Sequence, residues 1–311
     1  MTSRELVILG TGSQAPTRTR AHVSTVLRFD GEAILFDPGE NTQRQAILAR
    51  VNLNRLTAIC ITHFHGDHCL GLPGVIQRRS LDNANNNESP AELPIFFPRE
   101  GTEFLDRLLN CSSFYDQSSN QTIPISVDGA AGTVGELQLS AAALQHRIST
   151  FGYRLDEPTR QKLDKDALLA RGLSGPIVGE LQAKGVVTVD GQTTTIDQVS
   201  QAQVGQSMAF VMDTELCEGA SELADGVDLL VCESTFADEE AALASKYQHL
   251  TAGQAGQLAK AAGARRLVLT HFSARYSDTS ILGDQASRHH GDVVVAEDLM
   301  RVPFPNRTSL Y

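Results

Sequence analysis

Short apolar runs alternate with amphipathic or small-residue segments along the whole chain. This alternation predicts an α/β fold in which helices lie outside sheets. Runs rich in valine, isoleucine and leucine predict strands at Glu5–Leu9, His22–Phe29, Ala33–Phe36, Leu56–Thr62, Pro94–Pro98, Leu137–Leu144, Phe151–Leu155, Ser207–Met212, Val227–Cys232, Leu267–Thr270 and Val293–Ala296.

Helical spacing or small-residue composition predicts helices at Asn41–Val51, Leu70–Gln77, Gly101–Leu109 and Thr251–Ala262. In the first of these helices, Ala46, Ile47 and Val51 are expected to share one side. The asparagine-rich segment Asp82–Pro90 is expected to be a polar loop.

The pattern changes between about Pro158 and Gly191, where apolar residues become sparse and basic residues are mixed with acidic ones. Turn signals occur at Gly172 and at Ser174-Gly175-Pro176. This segment is expected to lie outside the main core, as an arm or a protruding pair of loops. Composition alone favours a solvated helical hairpin with no partner.

The overall composition is that of a globular protein, with 41% hydrophobic and 20% charged residues in 311. No apolar stretch is as long as a membrane span, and Met1–Arg4 leads directly into the first strand without a secretion signal. The cysteines are odd in number and several lie in or beside apolar runs, which favours reduced thiols in a cytoplasmic protein: Cys60, Cys69, Cys111, Cys217 and Cys232.

The net charge of −11 argues against a nucleic-acid binder when it is taken alone. A dinuclear metal centre would add about four positive charges locally, and a basic strip is compatible with an acidic remainder. The loop Gly10–Arg20 contains Gly-x-Gly after the first strand, but it lacks the third glycine and the immediate helix of a dinucleotide site. This loop is expected to be a turn that presents Arg18 and Arg20.

The densest chemistry lies in His63-Phe64-His65-Gly66-Asp67-His68-Cys69, directly after a predicted strand. On an extended segment His63 and His65 face the same side, and a turn at Gly66 brings Asp67 and His68 to a second position nearby. One short segment can therefore serve two adjacent metal ions. The alternative is a set of ordinary surface or helix-capping residues. Cys69 is either a further ligand or a small residue behind the site, and we favour the latter.

Further candidate ligands stand at the ends of later predicted strands, namely His146, Asp213 and His271. Strand ends at one edge of an α/β fold are where sites gather. Five histidines and two aspartates are too many for one tetrahedral ion and suit two ions, with zinc favoured and manganese or iron as alternatives. Two such ions about 3.5–4 Å apart activate water for hydrolysis of esters, phosphodiesters or amides.

The segment Thr62–His68 resembles the signature of the metallo-β-lactamase superfamily, and the later strand-end ligands match its later motifs in order. The chain also resembles the short form of the ribonuclease Z family, whose members trim the 3′ end of precursor tRNA. The supporting stretches cover nearly the whole chain: Asp37-Pro38-Gly39-Glu40, Gly71-Leu72-Pro73-Gly74, Cys232-Glu233-Ser234-Thr235-Phe236, His249-Leu250-Thr251-Ala252 and Leu269-Thr270-His271-Phe272-Ser273-Ala274-Arg275-Tyr276.

The resemblance implies a four-layer αββα sandwich formed by residues 1–311, with an inserted tRNA-binding arm at 156–190. It implies two zinc ions per subunit, or manganese or another divalent ion in their place. The implied ligands are His63, His65 and His146 for the first ion, Asp67, His68 and His271 for the second, and Asp213 between them.

The same resemblance assigns proton transfer. Asp67 would orient or deprotonate the attacking water, and His249, positioned by Glu233, would act as general acid near the leaving oxygen. Without the resemblance, His249 is simply a polar residue before a helix.

The resemblance also implies that the arm grips the tRNA elbow, as a homodimer in which one subunit's arm serves the other's site. Recognition would then rest on phosphates and on RNA shape. The expected substrate contacts are Arg18, Arg20, Gly175, Pro176, Lys184 and Arg275. Many family members have a Pro-x-Lys-x-Arg-Asn loop linked to rejecting mature CCA ends. Here Pro16-Thr17-Arg18-Thr19-Arg20-Ala21 keeps the charge and lacks the asparagine.

Two other functions fit the residues. One keeps the metals and changes the substrate, giving a small-molecule phosphodiesterase, arylsulfatase or lactonase. The other is an RNA-binding or scaffold protein with a degenerate site, against which the intact ligand set argues.

Overall fold

A computed structural model describes residues 4–86 and 91–307. Its strands, in chain order, are β1 (Glu5–Gly10), β2 (Ser24–Phe29), β3 (Glu32–Phe36), β4 (Ala58–Cys60), β5 (Leu93–Pro98), β6 (Asn120–Ile125), β7 (Gly129–Val134), β8 (Leu137–Leu144), β9 (Thr150–Asp156), β10 (Arg160–Leu163), β11 (Val186–Val189), β12 (Gln192–Thr195), β13 (Ser200–Gln203), β14 (Ser207–Val211), β15 (Leu229–Glu233), β16 (Arg266–Thr270), β17 (Val293–Val295) and β18 (Arg301–Pro303).

The α-helices are α1 (Thr42–Leu48), α2 (Gly66–Cys69), α3 (Leu72–Asn86), α4 (Thr102–Leu109), α5 (Lys165–Ala170), α6 (Pro176–Lys184), α7 (Glu218–Ala224), α8 (Ala241–Tyr247), α9 (Ala252–Ala261) and α10 (Ser280–Ser287). Among the described residues, no helix is both long enough and apolar enough to cross a membrane.

Two seven-stranded mixed sheets form the larger of two units, which comprises Met1–Asp156 and Ser207–Pro305. The first sheet has the order β18-β1-β2-β3-β4-β5-β6 and the second has the order β7-β8-β9-β14-β15-β16-β17. Read in these directions, each sheet has three antiparallel pairings followed by three parallel ones. The second half of this unit thus repeats the topology of the first.

The core of this unit has three apolar layers. The middle layer lies between the sheets, where Phe36 of β3 stacks on Phe210 of β14 with ring centroids 4.7 Å apart. The outer layers lie under α1, α3 and α4 on one side and under α7, α9 and α10 on the other. This is the expected αββα sandwich of the metallo-β-lactamase type.

The segment leading to the histidine motif is fixed from the opposite sheet. The Tyr153 hydroxyl of β9 donates to the Ile61 carbonyl at 2.8 Å, and the Phe151 N–H donates to the Thr62 carbonyl at 3.0 Å. These hydrogen bonds satisfy backbone groups just beyond the end of β4, where the ladder stops. The motif therefore begins from a rigid position.

The smaller unit comprises Glu157–Gln206 with the C-terminal segment from Asn306. It contains two two-stranded antiparallel sheets, β10–β13 and β11–β12, and the helices α5 and α6. It has a small apolar core of its own, formed by Leu168, Leu173, Leu181, Val187 and Val199. The Arg307 guanidinium contacts the Glu157 carboxylate at 2.7 Å.

This unit extends to Gln206, past the predicted arm boundary at residue 190. The sequence pattern did not predict β12 and β13, because Gln-Thr-Thr-Thr and Ser-Gln-Ala-Gln have no apolar alternation. The segment is also more ordered than a solvated helical hairpin, since it has four strands and a core.

Two local predictions were wrong. The polar loop predicted at Asp82–Pro90 is helical as far as Asn86, because Arg78 pairs with Asp82 at 2.9 Å and Asn83 donates to the Gln117 carbonyl at 2.9 Å. Residues 87–90 of that loop lie outside the described residues.

The predicted helix Asn41–Val51 is shorter, and its apolar side differs from the prediction. Ala46 and Val51 are buried, whereas Ile47 is 64% exposed. Because α1 ends at Leu48, Val51 reaches the core from the following turn and not from the helix face.

Candidate metal centre

Three acidic or imidazole side chains lie one or two residues after the end of a strand, in a left-handed backbone conformation. Asp37, Asp213 and His271 have φ values of 45°, 44° and 61°. Such values are uncommon for residues other than glycine, and their clustering at one edge of the sheets indicates a site that the surrounding structure holds in place.

The first group of donors contains His63, His65, His146 and Asp213. The His63 Nε2 atom lies 2.9 Å from His65 Nδ1, and His146 Nε2 lies 3.3 Å from the same His65 atom. Asp213 Oδ2 lies 3.5 Å from His63 Nε2 and 3.7 Å from His146 Nε2. Residues from two sheets thus converge on one point.

The second group contains Asp67, His68 and His271. His68 Nε2 lies 3.2 Å from His271 Nε2, and each of these atoms lies 3.4 Å from Asp67 Oδ2. Asp213 Oδ1 lies 3.3 Å from His68 Nε2 and 3.2 Å from His271 Nε2. Asp213 therefore has one carboxylate oxygen toward each group.

A chain of outer hydrogen bonds fixes the proton positions of His63 and His68. The Thr62 hydroxyl donates to Asp37 Oδ2 at 2.8 Å, so it accepts from His63 Nδ1 at 3.0 Å. His68 Nδ1 donates to the same Asp37 oxygen at 2.8 Å. Nδ1 is thus the protonated nitrogen in the neutral form of each ring, and the Nε2 lone pair of that form points into the site.

Equivalent bonds act on His146 and His271. The Gln248 carbonyl can only accept, so His146 Nδ1 donates to it at 3.0 Å. The Thr235 hydroxyl donates to Glu233 Oε2 and therefore accepts from His271 Nδ1 at 2.9 Å. Both Nε2 lone pairs again point into the site.

This donor set fits a divalent metal. Lone pairs on buried nitrogens that face one another at about hydrogen-bond distance repel unless a cation or proton lies between them. Asp213 Oδ1 is buried and accepts no hydrogen bond, although its charge calls for one. Imidazoles oriented by outer carboxylates and carbonyls are the arrangement found around bound metals.

The electrostatics agree with cation binding. Burial lowers the pKa of His63 and of His146, which keeps these rings neutral as metal ligands require. For His68, burial acts in the same direction, but the three surrounding carboxylates outweigh it and raise its pKa. Burial would raise the pKa of Asp67 and of Asp213, yet the neighbouring histidines hold both pKa values well below their ordinary range.

Beside the two groups, Glu233 positions His249. The Nδ1 atom of His249 lies 3.0 Å from Glu233 Oε1, which also accepts from the Thr214 N–H at 2.7 Å. Burial favours the neutral ring, but the Glu233 and Asp213 carboxylates outweigh it and raise the pKa of His249 to about 9. His249 can thus hold a proton for transfer at neutral pH.

His249 also belongs to a third donor group, with Asp213 and His271, whose atoms lie within 4.8 Å of one another. Its Nδ1 atom lies 3.9 Å from Asp213 Oδ2, farther than the Glu233 oxygen. The geometry favours the pairing with Glu233 over metal ligation.

The arginines expected to contact substrate differ in their surroundings. Arg275 lines the cavity above the metal groups, and Arg18 lines an adjacent depression together with Arg44. Arg20 is half-buried and donates to the backbone carbonyls of Ser273 and Tyr276. Its guanidinium therefore ties the Gly10–Arg20 loop to the loop that carries Arg275.

The remaining expected substrate contacts lie in the smaller unit. Gly175 has φ of 61° and precedes Pro176, the first residue of α6. Lys184, in the last turn of α6, pairs with Glu180 at 2.7 Å on the exposed surface. Gly175 supplies the turn that only glycine adopts freely.

Four residues with important contacts were not predicted to act at the site: Asp37, Thr62, Thr235 and Gln248. The signal available for Asp37 was its position at a strand end, like that of the predicted ligands. Gln248 acts through its carbonyl, which leaves no trace in residue identity. Cys69 donates to the His65 carbonyl at 3.2 Å and lies outside all three donor groups, as favoured from the sequence.

Two family models match the chain, and named proteins are similar to it over nearly its full length. A model described as the metallo-beta-lactamase superfamily matches residues 17–172, and one described as a beta-lactamase superfamily domain matches residues 189–272. The ribonuclease Z of Nocardia farcinica is 50% identical over 309 residues, covering 99% of this chain and 100% of that protein. The chain belongs to the ribonuclease Z family. Family members from Salinispora arenicola and Streptomyces coelicolor are 50% and 48% identical, each over 99% of this chain and 98% and 100% of their own lengths.

A solved structure of the same family has the same fold. The short form of human tRNase Z is 27% identical, with a TM-score of 0.67 over 97% of this chain and 99% of that one. The resemblance predicted from the motifs is thereby confirmed, as is the metallo-β-lactamase fold.

The Asp37 contacts generate a prediction. Asp37→Asn puts an amide NH2 group in place of the carboxylate oxygen that accepts from the Thr62 hydroxyl and from His68 Nδ1. The amide cannot accept these hydrogen bonds, so the tautomers of His63 and His68 are no longer fixed. We expect the apparent affinity for zinc to fall about 10- to 100-fold, measured by competition with a chelating dye. Asp284→Asn, on the exposed side of α10, is the matched control and should bind zinc as the unmodified chain does. Equal affinities for all three proteins would show that Asp37 does not orient the ligands.

Proposed function

We propose that this chain is an endoribonuclease that removes the 3′ trailer of precursor tRNA and leaves a 3′-hydroxyl on the tRNA. The observation that carries the proposal is near full-length similarity to proteins named ribonuclease Z, at 50% identity, in a chain whose seven predicted ligands converge. The related human protein is named as a tRNase Z, which agrees with this substrate.

The proposed cofactors are two divalent ions per chain, zinc in the first instance and manganese or another divalent ion as the alternative. His63, His65 and His146 would hold the first, and Asp67, His68 and His271 the second, with Asp213 touching both. When bound, such ions polarise the scissile phosphate and lower the pKa of a water molecule.

Asp67 is proposed to orient the attacking water and accept its proton. Its Oδ2 atom faces the middle of the second group, 3.4 Å from two imidazole nitrogens. The low pKa of this carboxyl keeps it ionised, so it can accept a hydrogen bond from water throughout the neutral range.

His249 is proposed to donate a proton to the leaving O3′ atom. Cleavage forms a bond between water oxygen and phosphorus and breaks the bond between phosphorus and O3′, so the trailer keeps the phosphate. Glu233 holds Nδ1 of His249, which leaves Nε2 as the atom that delivers the proton. The raised pKa of His249 supports this role.

Substrate recognition is proposed to use both units. Gly175, Pro176 and Lys184 would contact the tRNA away from the cut, and Arg18 and Arg275 would contact phosphates near it. Arg20 contributes by holding the Arg275 loop. These contacts would fix position and leave sequence unread.

A homodimer in the cytoplasm completes the proposal. Apolar side chains that α1 and α3 leave exposed, Ile47, Leu48 and Leu81, support an interface between copies. Sedimentation velocity should give a species of twice the 33.5 kDa chain mass. A species of the chain mass alone would contradict this part.

The ligand roles generate a prediction. Asp213→Ala should lower metal content far more than His249→Ala. The carboxylate of Asp213 lies within about 3.5 Å of imidazole nitrogens in both donor groups, whereas His249 is paired with Glu233. His249→Ala should keep its metal and lose about 100-fold or more in the rate of cleavage, the usual contribution of a general acid. Metal content by atomic absorption tests this, and equal loss in both variants would make His249 a ligand.

The proposed substrate leads to a further prediction. Zinc-loaded protein should cut a precursor tRNA at the 3′ end of the acceptor stem, and an uncut precursor would overturn the proposed function.

Replacing Glu157–Gln206 by Asn-Gly joins Asp156 to Ser207, which already pair in antiparallel register. This variant should lose precursor cleavage and keep activity on a small phosphodiester. Equal loss on both substrates would contradict a substrate-binding role for this unit. Equal retention would favour the alternative, a broad-specificity phosphodiesterase or arylsulfatase.

A further inference from the structure

Two arginines and two aromatic rings form a continuous stack along one side of the cavity above the metal groups. Arg147 lies 4.7 Å from the ring centroid of Tyr247, and Tyr247 stacks on Phe236 with centroids 6.4 Å apart and planes 16° apart. Arg275 lies 5.2 Å from the Phe236 centroid. We call Arg147, Tyr247, Phe236 and Arg275 the cation–aromatic wall.

The wall adjoins the groups that are proposed to act on the leaving oxygen. All four side chains line the same cavity as His146 and His249. The His249 ring lies 6.0 Å from the Phe236 ring and 5.1 Å from the His146 ring. Any group bound on the wall is therefore next to the proposed proton donor.

The backbone that carries the donors also positions the wall. Tyr247 ends α8, Gln248 follows in a left-handed conformation with φ of 56°, and the Gln248 carbonyl accepts from His146. Arg147 is the next residue after His146 and donates to the Lys246 carbonyl at 2.9 Å. These two hydrogen bonds tie the end of α8 to the segment that carries His146 and Arg147.

The charges of the wall suit an anionic ligand. Arg275 contacts Glu240, but within the described part of the chain no carboxylate lies in ion-pair range of Arg147. Arg147 is exposed beside the cavity in a chain of net charge −11. An arginine without a carboxylate partner in such a chain is available for a phosphate.

The aromatic part of the wall suits a flat ring. Tyr247 is partly exposed, and the Arg147 guanidinium and the Lys246 ammonium lie 4.7 and 5.4 Å from its ring centroid. Both cations are solvent-exposed and move at small cost, and their movement uncovers the ring. Unpaired bases of single-stranded RNA stack on aromatic side chains in this way, while arginines contact the flanking phosphates.

We propose that the cation–aromatic wall binds the last nucleotide retained in the product, the one whose O3′ atom leaves. Its base stacks on Tyr247, and the displaced Arg147 guanidinium contacts the phosphate on its 5′ side. This inference rests on the proposed function, because the assignment of the nucleotide follows from His249 as the donor to O3′. It adds a base-stacking subsite that tolerates any base.

A double-mutant cycle between protein and RNA tests the stacking. The substrates are a precursor tRNA with its normal last retained nucleotide and the same precursor with an abasic residue there. The proteins are the unmodified chain, Tyr247→Phe and Tyr247→Leu, each zinc-loaded and checked for metal content. Tyr247→Phe is the control, because it keeps the ring and loses only the hydroxyl.

Removing the base should lower kcat/KM about ten-fold in the unmodified chain and in Tyr247→Phe. In Tyr247→Leu the normal precursor should be cut about ten-fold more slowly, and removing the base should then change the rate less than about two-fold. Near-equal cleavage of the abasic precursor by all three proteins would also show that His249 and the metal groups are undisturbed.

If the losses in kcat/KM caused by Tyr247→Leu and by removal of the base simply multiply, the base does not stack on Tyr247. That result would leave the proposed function intact. A normal precursor left uncut by the unmodified chain would overturn both. A measurement on the unmodified chain alone does not depend on the folding of a variant. Precursors with a purine as the last retained nucleotide should be cut faster than those with a pyrimidine, and these faster than the abasic precursor. Equal rates for the three RNAs would also overturn the stacking.

Discussion

The inward direction of four imidazole lone pairs is the constraint on which the site depends. It does not arise from the histidines themselves, which have two tautomers each. It arises from acceptors outside them: Asp37 for His63 and His68, Glu233 through Thr235 for His271, and the Gln248 carbonyl for His146. Each acceptor removes the choice of tautomer, and the Nε2 lone pairs that result repel one another unless a proton or a metal ion lies between them. The free energy of folding that this repulsion costs is recovered as metal affinity.

The fold supplies this constraint through its repeated sheets. Parallel strands in the two halves end at a common edge, so residues distant in sequence meet there: Asp37 and the His63 motif from the first sheet, Asp213, Glu233 and His271 from the second. Left-handed conformations at Asp37, Asp213 and His271 turn the side chains inward within two residues of each strand end. The stacked Phe36 and Phe210 rings keep the two sheets in contact beneath the site, so the donors on opposite sheets keep their spacing.

The fold class was predictable from the sequence because it depends on local signals, and the proposed ligands remain a prediction that starts from one local motif. Apolar runs define the central strands, and the His63–His68 motif needs only its own backbone to face two positions. The outer acceptors were not predictable in the same way. Asp37 meets His68 only after two strands pair, and Gln248 acts through a carbonyl that every residue has. The cation–aromatic wall joins residues 147, 236, 247 and 275, whose proximity depends on the packing of a helix end against the segments that follow three strands. The smaller unit was underestimated because its edge strands are polar and show no periodicity.

The acidity of the chain bears on how it would hold a polyanion. The Glu157–Gln206 segment of the smaller unit has five lysines and arginines against six aspartates and glutamates, so it has no excess of positive charge. Without an excess of positive charge, this segment is expected to attract RNA through a few cations placed against particular phosphates. Arg147 and Arg275 on the cavity side are such cations, and bound divalent ions would add positive charge only at the scissile phosphate. An acidic remainder repels RNA that does not present a phosphate at these points. Charge then contributes to selecting a folded RNA with one accessible 3′ strand, which a uniformly basic surface could not do.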